Sequence, residues 1–159
     1  MSRPSLERLC PRETDTIALG ERVGTALVPG SLISLSGPLG AGKTVFVRGL
    51  ATGAGVDPGI VRSPTFVLHH VYQGERLTLH HIDAYRLGPN ADLTELDLDS
   101  LLEDGAAVVE WGEQCELTRF APMVMSVTIV EAQHRLITLR DEGVPPPVRG
   151  AFADVAVRR

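Results

Sequence analysis

The chain has 159 residues, 43% hydrophobic and 22% charged, a composition that excludes disordered and fibrous classes and allows one compact core hiding about 70% of the extended-chain surface. Fifteen basic against twenty acidic residues leave a net charge of −5, which argues against a surface built to grip DNA or RNA through its phosphates. There is no apolar signal core and no run near the roughly eighteen apolar residues of a membrane span, and Cys10 and Cys115 fit no CxxC spacing, so a cytoplasmic protein without a membrane partner is expected.

Behind Thr14 and Asp15, Leu19, Val23, Ala26 and Leu27 recur at helical spacing with Gly30 past the end, which predicts an amphipathic opening helix. Ser31–Ser36 is a short β-prone run ending at Gly37, and Lys43–Ala51 returns to helical spacing, so strand, glycine loop and helix follow one another. Gly53–Pro58 reads as a loop leading to Ser63-Pro64-Thr65-Phe66. Val67–Tyr72 and Arg76–Ile82, joined through Gln73-Gly74-Glu75, predict a β-hairpin. Leu93, Leu96, Leu101 and Leu102 form a helical pattern in an acidic stretch closed by Gly105, and Ala106–Val109 is an apolar run, as expected of a strand covered on both faces. Met123–Val130 and His134–Arg140 predict a second hairpin, Pro145-Pro146-Pro147 breaks the chain, and residues 145–159 are a tail or short terminal helix. The whole predicts one α/β domain over residues 1–159 with a mixed, parallel and antiparallel, sheet.

Residues Gly37 to Thr44, GPLGAGKT, satisfy G-x-x-x-x-G-K-[ST] between the predicted strand and helix, which is the context a phosphate-binding P-loop requires. Glycines let consecutive N–H groups curl around phosphate oxygens at the positive end of the helix. The expected nucleotide cradle is therefore Gly37, Pro38, Leu39, Gly40, Ala41, Gly42, Lys43, Thr44 and Val45, with Leu39 and Ala41 contributing mainly backbone. Lys43 is the only lysine in the chain. A compact ammonium reaching the β- and γ-phosphates inside a narrow loop cannot be replaced by the wide fork of arginine, and the Thr44 hydroxyl is placed to ligate Mg2+. No [NT]-K-x-D guanine-reading motif exists without a second lysine, so ATP/ADP is expected rather than GTP.

Magnesium on a nucleotide takes one acidic residue from the end of a buried strand, and two compete: Asp83 after Leu77–Ile82 and Glu110 after Ala106–Val109. Glu110 follows the purer apolar run, while both reach the carboxyl edge of the sheet where open α/β folds place ligands, so either orients the attacking water or holds the metal. Thr65 lies in the loop where nucleotide switches sense the γ-phosphate. His69, His70, His80 and His81 form two adjacent pairs on strands, and neighbours on a strand point to opposite faces, which argues against a zinc site. Arg86 is the nearest candidate for an arginine finger, with a structural ion pair as the stronger expectation.

In order and spacing, GPLGAGKT (Gly37–Thr44), SPTF (Ser63–Phe66), HIDAYRL (His81–Leu87) and VEWG (Val109–Gly112) resemble the bacterial TsaE family, formerly YjeE, over roughly residues 13 to 130. The resemblance implies a small P-loop NTPase-like three-layer ATPase needed for threonylcarbamoyladenosine formation in tRNAs that read codons beginning with A. It further implies that the protein acts with TsaB and TsaD, meets tRNA through that complex, and hydrolyses ATP slowly until partners order its switch. By motif position, Lys43 and Thr44 bind phosphate and magnesium, Glu110 is a metal ligand or catalytic acid, Asp83 is a Walker B-like aspartate, Thr65 is switch-like, and Trp111 supports nucleotide or partner contacts. A nucleotide-dependent assembly clamp without significant hydrolysis and a small P-loop metabolite kinase are the rival expectations, although the acidic stretch Gly88–Asp99 is a poor match for the cationic lid of a kinase.

Overall fold

The computed structural model describes residues 4–64 and 68–153. Its elements in chain order are β1 (Ser5–Cys10), α1 (Glu13–Ala26), β2 (Leu32–Ser36), α2 (Lys43–Ala54), β3 (His69–Gln73), β4 (Thr78–Asp83), α3 (Leu98–Asp104), β5 (Gly105–Glu110), β6 (Met123–Ile129), β7 (Arg135–Arg140) and α4 (Pro146–Ala153). The seven strands form one sheet in the order β1-β7-β6-β2-β5-β4-β3. The β2–β5, β2–β6 and β4–β5 pairs are parallel, whereas β3–β4, β6–β7 and β1–β7 are antiparallel. This is the mixed α/β architecture that the alternation of helical and strand periods predicts.

The apolar runs decide which strands lie centrally. Every residue of β5, GAAVVE, is buried, as are the first four of β2, LISLS, so both strands must have cover on each face. One face carries α1, α2 and α4 over a core that includes Leu19, Phe46, Leu50, Ile33, Met125 and Phe152. The other face is thinner, with α3 and short 3-10 turns covering Leu32, Ile82, Ala107 and Val109.

Helix α2, which opens with Lys43 and Thr44, is located by its contact with α1. Gly20 and Gly24 of α1 meet Gly49 and Gly53 of α2 backbone to backbone. A Cβ on Gly49 would stand 2.3 Å from the Ile17 carbonyl oxygen, and one on Gly24 the same distance from that of Leu50. Hydrogens in place of side chains thus set the helix separation, and with it the position of the P-loop.

Several boundaries differ from the sequence reading for local reasons. Strand β1 has no sequence-level signal, because only Leu6, Arg8 and Cys10 turn inward and its single partner is β7. The acidic stretch is two pieces, a 3-10 turn Thr94–Leu96 and α3, divided at Asp97 in the left-handed region with φ 47°. Asp97 caps α3, its carboxylate accepting from the Ser100 backbone N–H at 3.5 Å and from the Ser100 hydroxyl at 2.7 Å, and a single continuous helix would forgo that cap. Of the two expectations for the end of the chain, a tail or a short terminal helix, Pro146–Ala153 takes the helix, α4, whose Val148 and Phe152 are buried. Residue Val67, the expected start of the first hairpin, and Thr65 lie outside the described residues. Among the described residues no helix is long and apolar enough to cross a membrane.

Candidate nucleotide site

The turn from β2 into α2 contains three glycines at positive φ: Gly37 (147°), Gly40 (75°) and Gly42 (103°). Gly37 is constrained twice over, since a Cβ there would lie 2.3 Å from the Val127 carbonyl oxygen on β6. Among the described residues, the backbone N–H groups of Gly40, Gly42, Lys43 and Thr44 donate to no carbonyl. They lie at the positive end of α2, where such amides suit an anion. Arg135 on β7 braces the loop from outside, its Nε donating to the Ala41 carbonyl at 2.7 Å.

Lys43 is 6% exposed, and its Nζ donates to the carbonyl oxygens of Pro38 at 3.0 Å and of Gly37. The same ammonium stands 4.3 Å from the centre of the Trp111 ring, a cation–π contact. Burial pushes the Lys43 pKa below its ordinary value, while the carboxylates of Glu110, Glu113 and Asp83 pull it back up. Trp111 stays in place because its backbone adopts the left-handed region (φ 61°) and donates its main-chain N–H to Leu35 O at 2.9 Å, and because its ring meets Tyr85 at 5.0 Å. The next residue must be small, since a Cβ on Gly112 would fall 2.2 Å from Ser34 Oγ.

The two competing carboxylates are register partners at the ends of β4 and β5, both nearly fully buried. They have different companions. Thr44 Oγ1 donates toward Glu110, at 3.3 Å from Oε2 and 3.4 Å from Oε1, and His81 Nε2 lies 2.5 Å from Oε2. Asp83 instead accepts from the Tyr85 N–H at 2.9 Å and from the Ser63 hydroxyl at 3.3 Å. The cause is strand order: β5 is hydrogen-bonded to β2, which delivers the P-loop, whereas β4 is one strand further out.

A cleft of about 360 Å³ brings together Leu39 to Val45, Arg48, Ser63, Asp83, Tyr85, Glu110 and Trp111. Every sequence-predicted site residue from Leu39 onward lines it except Thr65, which is outside the described residues, while Gly37 and Pro38 supply carbonyls to Lys43. Arg86 does not line this cleft; Arg48, one helical turn beyond Thr44, does. Helical i, i+4 spacing from Thr44 was the available signal for Arg48. A smaller hollow of about 140 Å³ on the other side of the loop is walled by Cys10 to Glu13, Thr16, Gly42, Val45, Gln133 and Arg135, residues too distant in sequence for any motif to join. The four histidines divide by face as strand alternation requires: His69 and His80 meet at 3.0 Å between ring nitrogens, while His70 and His81 stand edge to face on the opposite side.

The fold and this loop define an α/β domain of the P-loop nucleotide-binding type. The family model described as "Threonylcarbamoyl adenosine biosynthesis protein TsaE" matches residues 10–138. The chain belongs to the TsaE family, as the motif resemblance implies. A curated relative from Mycobacterium bovis, named tRNA threonylcarbamoyladenosine biosynthesis protein TsaE, is 46% identical over 112 residues, 65% of this chain and 66% of that one. Relatives of the same name from Treponema pallidum (41% identical, 79% of this chain and 93% of the relative) and Aquifex aeolicus (34%, 84% and 94%) match over longer stretches. The crystal structure of Bacillus subtilis YdiB superposes with a TM-score of 0.68 at 27% identity, covering 87% of this chain and 86% of that one.

Proposed function

We propose that this chain is a magnesium-dependent ATPase of the tRNA threonylcarbamoyladenosine pathway, acting with TsaB and TsaD in the cytoplasm and meeting tRNA through that complex. The observation that carries the reading is the convergence of Lys43, the loop amides at the start of α2, and the Thr44 hydroxyl 3.3 Å from a buried Glu110. The relatives' name supports the pathway, and the net charge of −5 suits a chain whose partners supply the tRNA surface.

Within this reading the triphosphate lies in the P-loop and the base enters the hollow between Arg12, Thr16 and Arg135. Thr44 and Glu110 fit Mg2+: one hydroxyl and one carboxylate offer hard oxygens beside the phosphate loop, the donor set of an ion that keeps phosphate and water ligands. The ion, when bound, neutralises charge developing on the phosphoryl oxygens. Lys43 and the loop amides hold the β- and γ-phosphates, and Arg48 faces the same cleft as a second cation for the transition state. Asp83 accepts from Ser63 at the edge of the same cleft and is the carboxylate that orients the attacking water. A new P–O bond forms to that water as the bond to the ADP oxygen breaks, the bonding pair leaving with ADP and the water's proton passing to the inorganic phosphate that is released.

The test is phosphate release from ATP with and without purified TsaB and TsaD. Stimulated release supports the ATPase; tight ATP binding with no release in either condition supports a nucleotide-locked clamp, and label transfer to a metabolite supports a kinase. Glu110→Ala and Asp83→Ala, both with unchanged turnover, would remove the site assignment.

A further inference from the structure

Glu110 is the end of a buried chain of side chains that leads away from the P-loop. His81 Nε2 lies 2.5 Å from Glu110 Oε2, and His81 Nδ1 lies 3.0 Å from the Tyr72 hydroxyl. That hydroxyl accepts from the Arg62 N–H at 3.3 Å and has the Arg62 carbonyl at 3.1 Å. His81 is fully buried and Tyr72 is 4% exposed. In one ordering every hydrogen is donated once: Arg62 N–H to the Tyr72 oxygen, Tyr72 O–H to His81 Nδ1, and His81 Nε2–H to Glu110. His70 Nδ1, 3.3 Å from the same hydroxyl, flanks the chain at its exposed side.

Two features make this more than core packing. The Glu110 carboxylate is shared between His81 and Thr44, so His81 sets which way its oxygens face the metal-binding hydroxyl. At the far end, Arg62 immediately precedes Ser63, which donates to Asp83. The backbone at 62–63 is thus tied to both strand-end carboxylates, once directly and once through Tyr72 and His81.

We propose that His81 and Tyr72 are positioning residues of the nucleotide site: through their hydrogen bonds they orient Glu110 toward Mg2+ and couple that orientation to the backbone of Arg62, so that the metal-holding carboxylate and the backbone at 62–63 are set together. The proposal rests on the reading of the site as a Mg–nucleotide site. Buried partners of ligating carboxylates change metal affinity by roughly 10- to 100-fold when removed.

The experiment uses the full chain and the variants Tyr72→Phe, His81→Ala and His81→Gln. Trp111, the only tryptophan, lies against Lys43, and its fluorescence reports ADP binding, titrated first in EDTA and then at rising Mg2+. Tyr72→Phe keeps the ring and its packing. It is expected to raise the Mg2+ concentration for half-saturation about 10-fold while leaving metal-free ADP affinity within about twofold. His81→Ala is expected to exceed that effect, and His81→Gln, whose amide can still donate to Glu110, to recover part of it. Unchanged Mg2+ half-saturation in Tyr72→Phe and in His81→Ala overturns the inference, as does an equal loss of affinity with and without metal, which marks a purely structural role. If the unmodified chain binds ADP with no response to Mg2+, the metal-site reading itself fails, and the inference falls with it.

Discussion

Replacing Gly49 by alanine tests how the fold positions the site. In a helix this exchange ordinarily stabilises by about 1 kcal/mol, because alanine loses less backbone entropy on folding. Here the new Cβ meets the Ile17 carbonyl oxygen at 2.3 Å, Gly20 Cα at 2.7 Å and the Glu21 nitrogen at 2.9 Å, all backbone atoms that no rotamer change can move. Restoring ordinary contact needs α1 and α2 to part by about 1 Å, a gap that forfeits a quarter to a half of the dispersion across the interface. Overpacking of this kind costs about 1–3 kcal/mol, here at the top of that range because neither side can yield, so the net is a loss of about 2 kcal/mol and a midpoint about 4–8 °C lower. Gly150, in α4 with nothing within 4 Å of its would-be Cβ, is the control and should rise by about 2 °C as alanine. Thermal melts of both variants, with ADP titrations below the transition, supply the measurements. Because α2 begins at Lys43, Gly49→Ala should also weaken ADP binding, while Gly150→Ala should not. A Gly49→Ala midpoint at or above that of Gly150→Ala refutes the argument that this crossing is set by backbone contact.

Lys43→Arg should reduce ADP affinity about 10- to 100-fold in a fluorescence titration, since a guanidinium cannot occupy the buried place where Nζ meets the Gly37 and Pro38 carbonyls and the Trp111 ring. Gly37→Ala, which adds a Cβ 2.3 Å from Val127 O at a φ of 147°, should abolish nucleotide binding while circular dichroism shows the sheet retained; undiminished binding would count against the loop geometry. Burial pushes the Cys115 thiol up to about 11 from 9.0, with Glu113 adding to the shift. The thiol is therefore uncharged at neutral pH in the folded chain, and its iodoacetamide labelling at pH 8 should be about 100-fold slower than after unfolding. The sign for stability follows: this raised pKa favours the fold fully below pH 9 and the contribution disappears as pH climbs through about 11, which a denaturant midpoint at pH 8 and pH 11 measures in Cys115→Ser against the unmodified chain.

What the sequence by itself determined was local chemistry. Gly37, Gly42, Lys43 and Thr44 are read directly because a glycine loop between strand and helix is a matter of backbone dihedrals within a few residues, and the apolar run before Glu110 marks a central strand for the same short-range reason. Hairpin pairing of β3 with β4 and of β6 with β7 was legible too, since two alternating runs flank each short turn. Only the tertiary structure decided which carboxylate stands beside Thr44, because that depends on β5 rather than β4 lying against β2, and strand order is set by packing across the whole sheet. The same holds for the hollow joining Cys10–Thr16 to Arg135, and for the Glu110–His81–Tyr72–Arg62 chain. Each gathers side chains from segments far apart in sequence, and no periodicity along a single segment encodes distances between segments.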